Sequence, residues 1–218
     1  MNAPPRPPAR RTRILVTGFA GFPGAPRNPT QAMVAALERR RPRLARLGVE
    51  LSLSVLPASF AEVGRALEAA AGALEPDAIL CFGLARRRAR VGVEAVARNR
   101  IGRLRPDARG AFASDAFVER GAPPLLRASA PAPQILARLA RAGFPAGRSN
   151  DAGDYVCNQA LFLALRRARR ALVGFIHVPP PERLGAPTSR PQEACADLAF
   201  AAVLAVLPAA RRASRLSR

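Results

Sequence analysis

Along this chain, short runs of consecutive apolar residues alternate with longer stretches in which apolar positions recur every three or four residues. The first pattern is that of strands buried on both faces, the second that of helices with one face against a core. "RILVTGF" reads as the first strand and "NPTQAMVAALERRR" as a helix, with Asn28 as its cap and Pro29 in the first turn, where a missing N–H is harmless. "VELSLSVLP" alternates like a strand with one wet face. Ser59 and Glu62 have the spacing of a capping box and predict the start of the helix "FAEVGRALEAAAGAL". "DAILCFGL" is a continuous apolar strand and "VGVEAVA" a fourth. From Arg98 to Pro133 the periodicity fades among Pro and Gly, and so long a loop is either functional or disordered. Helices return at "PQILARLARAG" and after "SNDAGDYVCN"; "ALVGFIHV" reads as a central strand and "PQEACADLAFAAVLAVL" as the closing helix.

Strands alternating with helices predict a single α/β domain with a mixed, mostly parallel twisted sheet and helices on both faces. Sites in such folds lie at the carboxyl ends of strands, here where "CFGL" and "GFIH" finish. The domain is placed at residues 13–208, between a disordered Pro/Arg-rich tail (1–12) and a frayed basic tail (209–218). No run approaches the ~18 to 20 consecutive apolar residues of a membrane helix, and the first apolar run is too short for a signal-peptide core, so a cytoplasmic protein is expected.

The net charge of +20 raises a nucleic-acid partner, and two features argue against one. The basic residues are all Arg, scattered over several helices, and with no Trp and one Tyr there is no aromatic platform for bases. Cys81, Cys157 and Cys195 are widely spaced, without a C-x-x-C pair, and the chain has one His. Neither a disulfide framework nor a metal site is expected.

Candidate chemistry gathers where Cys157 opens a helix after Gly153. The N–H groups of a first turn favour a thiolate, and a thiol nucleophile needs a base, for which His177 is the sole imidazole. Glu94, an acid amid Val and Ala, must have a partner and fits the group that orients the ring. On residue type alone, Cys157 also fits a small buried hydrophobe, His177 a satisfied core residue and Glu94 a simple arginine partner.

Taken together, these blocks resemble the pyroglutamyl peptidase I family of cysteine peptidases. "LVTGFAGFPGAPRNPT" is similar to the family's opening signature through Thr17, Gly18, Phe19, Phe22, Gly24, Asn28, Pro29 and Thr30. "CFGLARRR" supplies Leu84 and Arg88; "VEAVARN" and "RPDARG" keep Glu94, Asn99, Pro106, Asp107 and Gly110; "SNDAGDYVCN" and "GFIHVP" resemble the cysteine and histidine blocks. The resemblance implies a phosphorylase/hydrolase-like α/β fold, removal of an N-terminal pyroglutamate from a blocked peptide, and a triad of Cys157, His177 and Glu94. It also implies a lactam pocket of Phe19, Phe22 and Tyr155 bordered by Leu84 and Arg88, no cofactor, and a homo-oligomer, dimer or tetramer. The alternative is a diverged module that no longer turns over, or a hydrolase of a related N-blocked substrate. Departures sit at Ala20, Gly21 and Pro23 in the lactam loop, at Asp154 beside the nucleophile, at Leu104, where the family has an arginine, and at Ala108, where it has an asparagine. Pro23 is expected to cost a hydrogen bond to the lactam, and Asp154 to oppose thiolate formation.

Overall fold

The computed structural model describes residues 10–168, 170–184 and 191–216. Its elements follow the order β1 (Thr12–Phe19), α1 (Pro29–Glu38), α2 (Arg41–Arg46), β2 (Val49–Leu56), α3 (Val63–Leu74), β3 (Ala78–Leu84), β4 (Val91–Glu94), β5 (Val96–Arg98), β6 (Leu125–Arg127), α4 (Ala132–Arg141), β7 (Ala146–Ser149), α5 (Val156–Arg167), β8 (Leu172–Val178) and α6 (Pro191–Leu216). Six strands form one sheet in the order β2-β1-β3-β8-β4-β7, while β5 and β6 pair separately. All neighbours in the large sheet are parallel except β4 and β8. The expected α/β class and mixed, mostly parallel sheet are thus observed.

Each face of the sheet has its own core. On one, Ile14, Val16, Leu80, Phe82 and Ile176 meet α1, α4 and α6 through Met33, Leu37, Ile135, Leu139, Leu198 and Val203. On the other, Leu15, Ile79, Cys81, Val173 and Phe175 meet α3 and α5 through Val63, Leu67, Leu161 and Phe162. The alternation of strand side chains sorts residues between the faces, and each large apolar side chain fully buried contributes roughly 1.5–3 kcal/mol. The helix α6 is long and apolar enough to cross a membrane by length and composition, yet 72% of that stretch is buried inside the fold. It packs as a core helix.

Several elements differ from their sequence expectation, each for a local reason. Of the expected tail over 1–12, residues 1–9 lie outside the described residues; Arg10 pairs with Asp77 at 3.0 Å and Thr12 already opens β1. The stretch expected to fray from 209 instead continues α6 to Leu216. The Ser59–Glu62 capping box does not form: α3 begins at Val63 without a side-chain cap, because the Ser59 hydroxyl bonds Asp107. "VGVEAVA" breaks at Ala95, whose N–H donates to Ser149 and whose carbonyl accepts from Ala128, so the chain passes from the large sheet to the small one. The 98–133 stretch is tied down: Asn99 donates to the carbonyls of Glu119 and Ala122 and accepts from the Glu119 N–H.

Candidate active site

The polar residues of interest converge on one register line. In β3–β8 pairing Gly83 stands beside His177, and in β8–β4 pairing Gly92 stands on its other side. Paired residues project from the same face, so His177 is flanked by two positions without side chains. A Cβ on Gly83 would lie 2.9 Å from the Cys157 Sγ and 2.7 Å from the Phe175 ring, so the sulfur occupies the space this glycine leaves open. The partner of Phe175 on β4 is Glu94, which puts the carboxylate on the same face two residues from the level of His177. Three residues from sequence-distant segments therefore share one patch of sheet surface, on the α5 side.

Within it, His177 Nδ1 and Glu94 Oε1 are 2.7 Å apart, both residues buried, at 6% and 1% exposure. A carboxylate only accepts, so Nδ1 carries the proton and the Nε2 lone pair is left for another partner. The same Oε1 accepts from Arg88 at 2.8 Å, whereas Oε2 has no hydrogen-bond partner among the described residues. Arg88, expected at the substrate, turns into the protein instead and also binds Ser149 Oγ (3.1 Å) and the Asp151 carbonyl (2.8 Å).

The sulfur is less well provided for. Cys157 is the second residue of α5, and no side chain caps that helix at Tyr155. Burial pushes its thiol up to about 12, with the nearby Cys81 and Glu94 adding to the rise and Arg105 and its own N–H opposing it. Desolvation thus works against the favourable field of the helix start. No hydrogen bond joins Cys157 to His177 among the described residues. Asp154, expected to oppose ionisation, is instead held by Arg105 at 2.5 Å. Asn158, the next residue along, is wholly buried and fixes the start of α5 by accepting from the Arg98 N–H and donating to the carbonyls of Arg98 and Arg100.

An aromatic rim adjoins the sulfur. Tyr155 lies 6.0 Å from Phe22 and 5.3 Å edge-on from Phe60, and its hydroxyl donates to the Pro106 carbonyl at 2.9 Å. Phe19 packs on Phe175 at 6.2 Å, and Phe175 lies 4.7 Å from the His177 ring. Phe60 and Phe175 were missed in the sequence reading. Phe175 had a signal, since it stands two residues before His177 and so on the same strand face; Phe60 had none. Leu84 follows Gly83 in the strand alternation and falls on the Phe82 face, away from Cys157, so only its backbone borders the site.

The loop carrying Phe22 is held by the "NPT" block. Asn28 accepts from the Thr30 N–H and hydroxyl and donates to the Ala20 carbonyl, and Thr30 Oγ1 accepts from the Phe19 N–H. Phe22 and Ala25 exchange backbone bonds of 3.1 and 2.8 Å across Pro23 and Gly24, with Gly24 at φ 87°. That is a type II turn, with Pro and Gly where the turn favours them. The turn itself uses no N–H at this position, so Pro23 fits it without strain and leaves the position with no N–H to offer a ligand. Leu104, in the place of a family arginine, is 93% exposed, while Arg105 stacks on Tyr155 at 5.3 Å.

The sequence and fold have known counterparts. The family model for pyroglutamyl peptidase matches residues 12–213. The chain is 35% identical to a pyrrolidone-carboxylate peptidase of Gloeobacter violaceus over 77% of its own length and 81% of that protein, and 36% identical to one from Thermococcus kodakarensis with the same coverage. Among solved structures, pyrrolidone carboxyl peptidase from Thermus thermophilus superposes with a TM-score of 0.72 at 36% identity, covering 87% of this chain and 98% of that one. With a family match over nearly the whole domain and this agreement in fold, the chain belongs to the pyroglutamyl peptidase family of cysteine peptidases.

Proposed function

We propose that this protein removes N-terminal pyroglutamate from peptides, with Cys157 as nucleophile, His177 as general base and then acid, and Glu94 as the group that orients the imidazole. The observation that carries the roles is the 2.7 Å His177–Glu94 bond on the strand whose register partner, Gly83, receives the Cys157 sulfur. With burial disfavouring the thiolate, His177 Nε2 takes the proton as the attack proceeds rather than beforehand. The S–C bond forms as the carbonyl π pair moves onto oxygen, and the uncapped N–H groups at the start of α5 receive that oxyanion. The imidazolium then protonates the leaving amine as the amide C–N bond breaks. Water, deprotonated by the same nitrogen, hydrolyses the thioester and returns the thiol. These steps need no cofactor.

For the lactam, Phe19, Phe22 and Tyr155 are the proposed pocket, with Phe60 added to it and the buried Phe175 backing Phe19. A flat, uncharged ring suits an apolar aromatic slot whose polar edge is met by backbone groups. A fluorogenic pyroglutamyl amide tests the reading. Thiol-dependent release by the wild type, abolished in Cys157→Ala, supports it; an inert wild-type enzyme discards it.

The reading also includes a cytoplasmic location, supported by three unpaired cysteines, and a homo-oligomer, dimer or tetramer. Exposed Phe112 and Phe117 support the latter. Light scattering on the purified chain decides it, a monomer at working concentration counting against.

A further inference from the structure

Arg88 lies in the connection between β3 and β4, and its guanidinium makes three bonds to the protein: Glu94 Oε1 at 2.8 Å, Ser149 Oγ at 3.1 Å and the Asp151 carbonyl at 2.8 Å. These groups belong to different parts of the site. Glu94 is the partner of His177, while Ser149 and Asp151 head the segment that leads into α5 and Cys157. Glu94 and Ser149 are also register partners between β4 and β7, so one planar fork spans the acid and the approach to the nucleophile.

The approach of Arg88 is sterically specified. A Cβ on Gly92 would stand 2.0 Å from its Nη1, so the guanidinium crosses the space that this glycine leaves beside His177. All the hydrogen bonding of the buried Glu94 carboxylate passes through Oε1, since Oε2 has no partner among the described residues. Without Arg88 the carboxylate keeps one bond, to the imidazole it is meant to hold still, and is free to swing about it.

We infer that Arg88 is a positioning residue: it locks the rotamer of Glu94 and ties that acid to the 149–153 segment, so that His177 and Cys157 are set relative to one another by a single side chain. This rests on the roles proposed above for Cys157, His177 and Glu94. It differs from a substrate contact in what its loss changes. A positioning residue acts on the chemical step and a substrate contact acts on binding.

The test is steady-state kinetics on the pyroglutamyl amide with Arg88→Gln, Arg88→Lys and Gly92→Ala, each checked for folding by thermal melting. For Arg88→Gln, kcat falls by about 100-fold, the cost of a small misplacement at a reacting centre, with KM unchanged. Lys at 88 recovers part of the loss, because an ammonium pairs with Glu94 but cannot also span Ser149 and Asp151. Gly92→Ala, which displaces only the far end of the Arg88 side chain, shows the same loss of kcat and still reports if Arg88→Gln does not fold. Guanidinium ion at millimolar concentration raises the rate of Arg88→Ala and leaves Glu94→Gln unchanged. A rise in KM with kcat intact, or an undiminished kcat in Arg88→Gln, overturns the inference while leaving the peptidase reading in place. An inactive wild type overturns both.

Discussion

The two sides of the site are built to different standards. On the imidazole side, His177, Glu94 and Arg88 are linked by bonds of 2.7 and 2.8 Å within a mostly buried cluster, and Gly92 leaves open the space that the Arg88 guanidinium crosses. On the sulfur side, no hydrogen bond joins Cys157 to His177 among the described residues, and desolvation outweighs the opposing field of Arg105 to raise the thiol to about 12. On the proposed roles, the acid–base pair is preorganised, while burial disfavours charge on the nucleophile before a substrate carbonyl arrives. A reactive thiolate attracts oxidants and metals, and a buried thiol does not. The cost is that proton transfer and attack must be coupled through a base whose orientation leaves little tolerance.

Breaking the imidazole side should have the largest effect. Replacement His177→Ala removes both base and acid and should lower kcat by about four orders of magnitude; it should also block covalent labelling of Cys157 by a pyroglutamyl aldehyde at neutral pH, read by mass spectrometry. Next, Glu94→Gln keeps the shape but lets the imidazole take the wrong tautomer, with an expected loss of about 10²- to 10⁴-fold in kcat in a stopped assay.

The sulfur side is sharpened by pH. Since the Cys157 thiol is raised to about 12, its alkylation by a small neutral haloacetamide should climb without a plateau between pH 7 and pH 10, about tenfold per unit. A plateau near neutrality would mean a preformed thiolate–imidazolium pair and would erase the contrast drawn above.

Smaller effects lie in the supports of the aromatic rim. Asp107 accepts from the N–H groups of Phe60, Arg109 and Ala111, and so joins the loop of Phe60 to the loop whose Pro106 carbonyl receives the Tyr155 hydroxyl. Substituting Asn for Asp107 leaves a buried amide facing N–H donors and should cost about 1–3 kcal/mol in thermal unfolding. It should raise KM more than it lowers kcat.

The mildest prediction concerns alkaline stability. Cys81 and Cys195 are raised to about 11, each first of all by burial, and Cys157 to about 12. The folded chain thus keeps protons that unfolded thiols lose near pH ~8.5, so the associated stability is complete below that pH and declines as pH rises through 9 to 11. The melting temperature should fall over that window, and Cys195→Ala should flatten the fall.

Much of this was legible before any coordinates. The consecutive apolar runs of β1, β3 and β8 mark buried strands whatever surrounds them, and Asn28 before Pro29 caps α1 as read. Cys157 at a helix start and His177 at a strand end were likewise visible as residue types in local context. By contrast, β7, "AGRS", carries no apolar signal, because an edge strand can be held by backbone pairing alone. The burial that raises the Cys157 thiol was not legible, because a helix start is a local feature and desolvation is not.

By itself the sequence determined the alternation of strands and helices, the single α/β domain and the identity of the chemically capable residues, since periodicity, capping and side-chain chemistry act over a few neighbours. Only the tertiary structure decided that Gly83 and Gly92 flank His177, that Arg88 bonds Glu94, that Asp154 pairs with Arg105, and that the Ser59 hydroxyl serves Asp107. Those outcomes depend on which strands become neighbours and in what register, and on which charges meet once water is gone, quantities that separate in sequence and combine only in space.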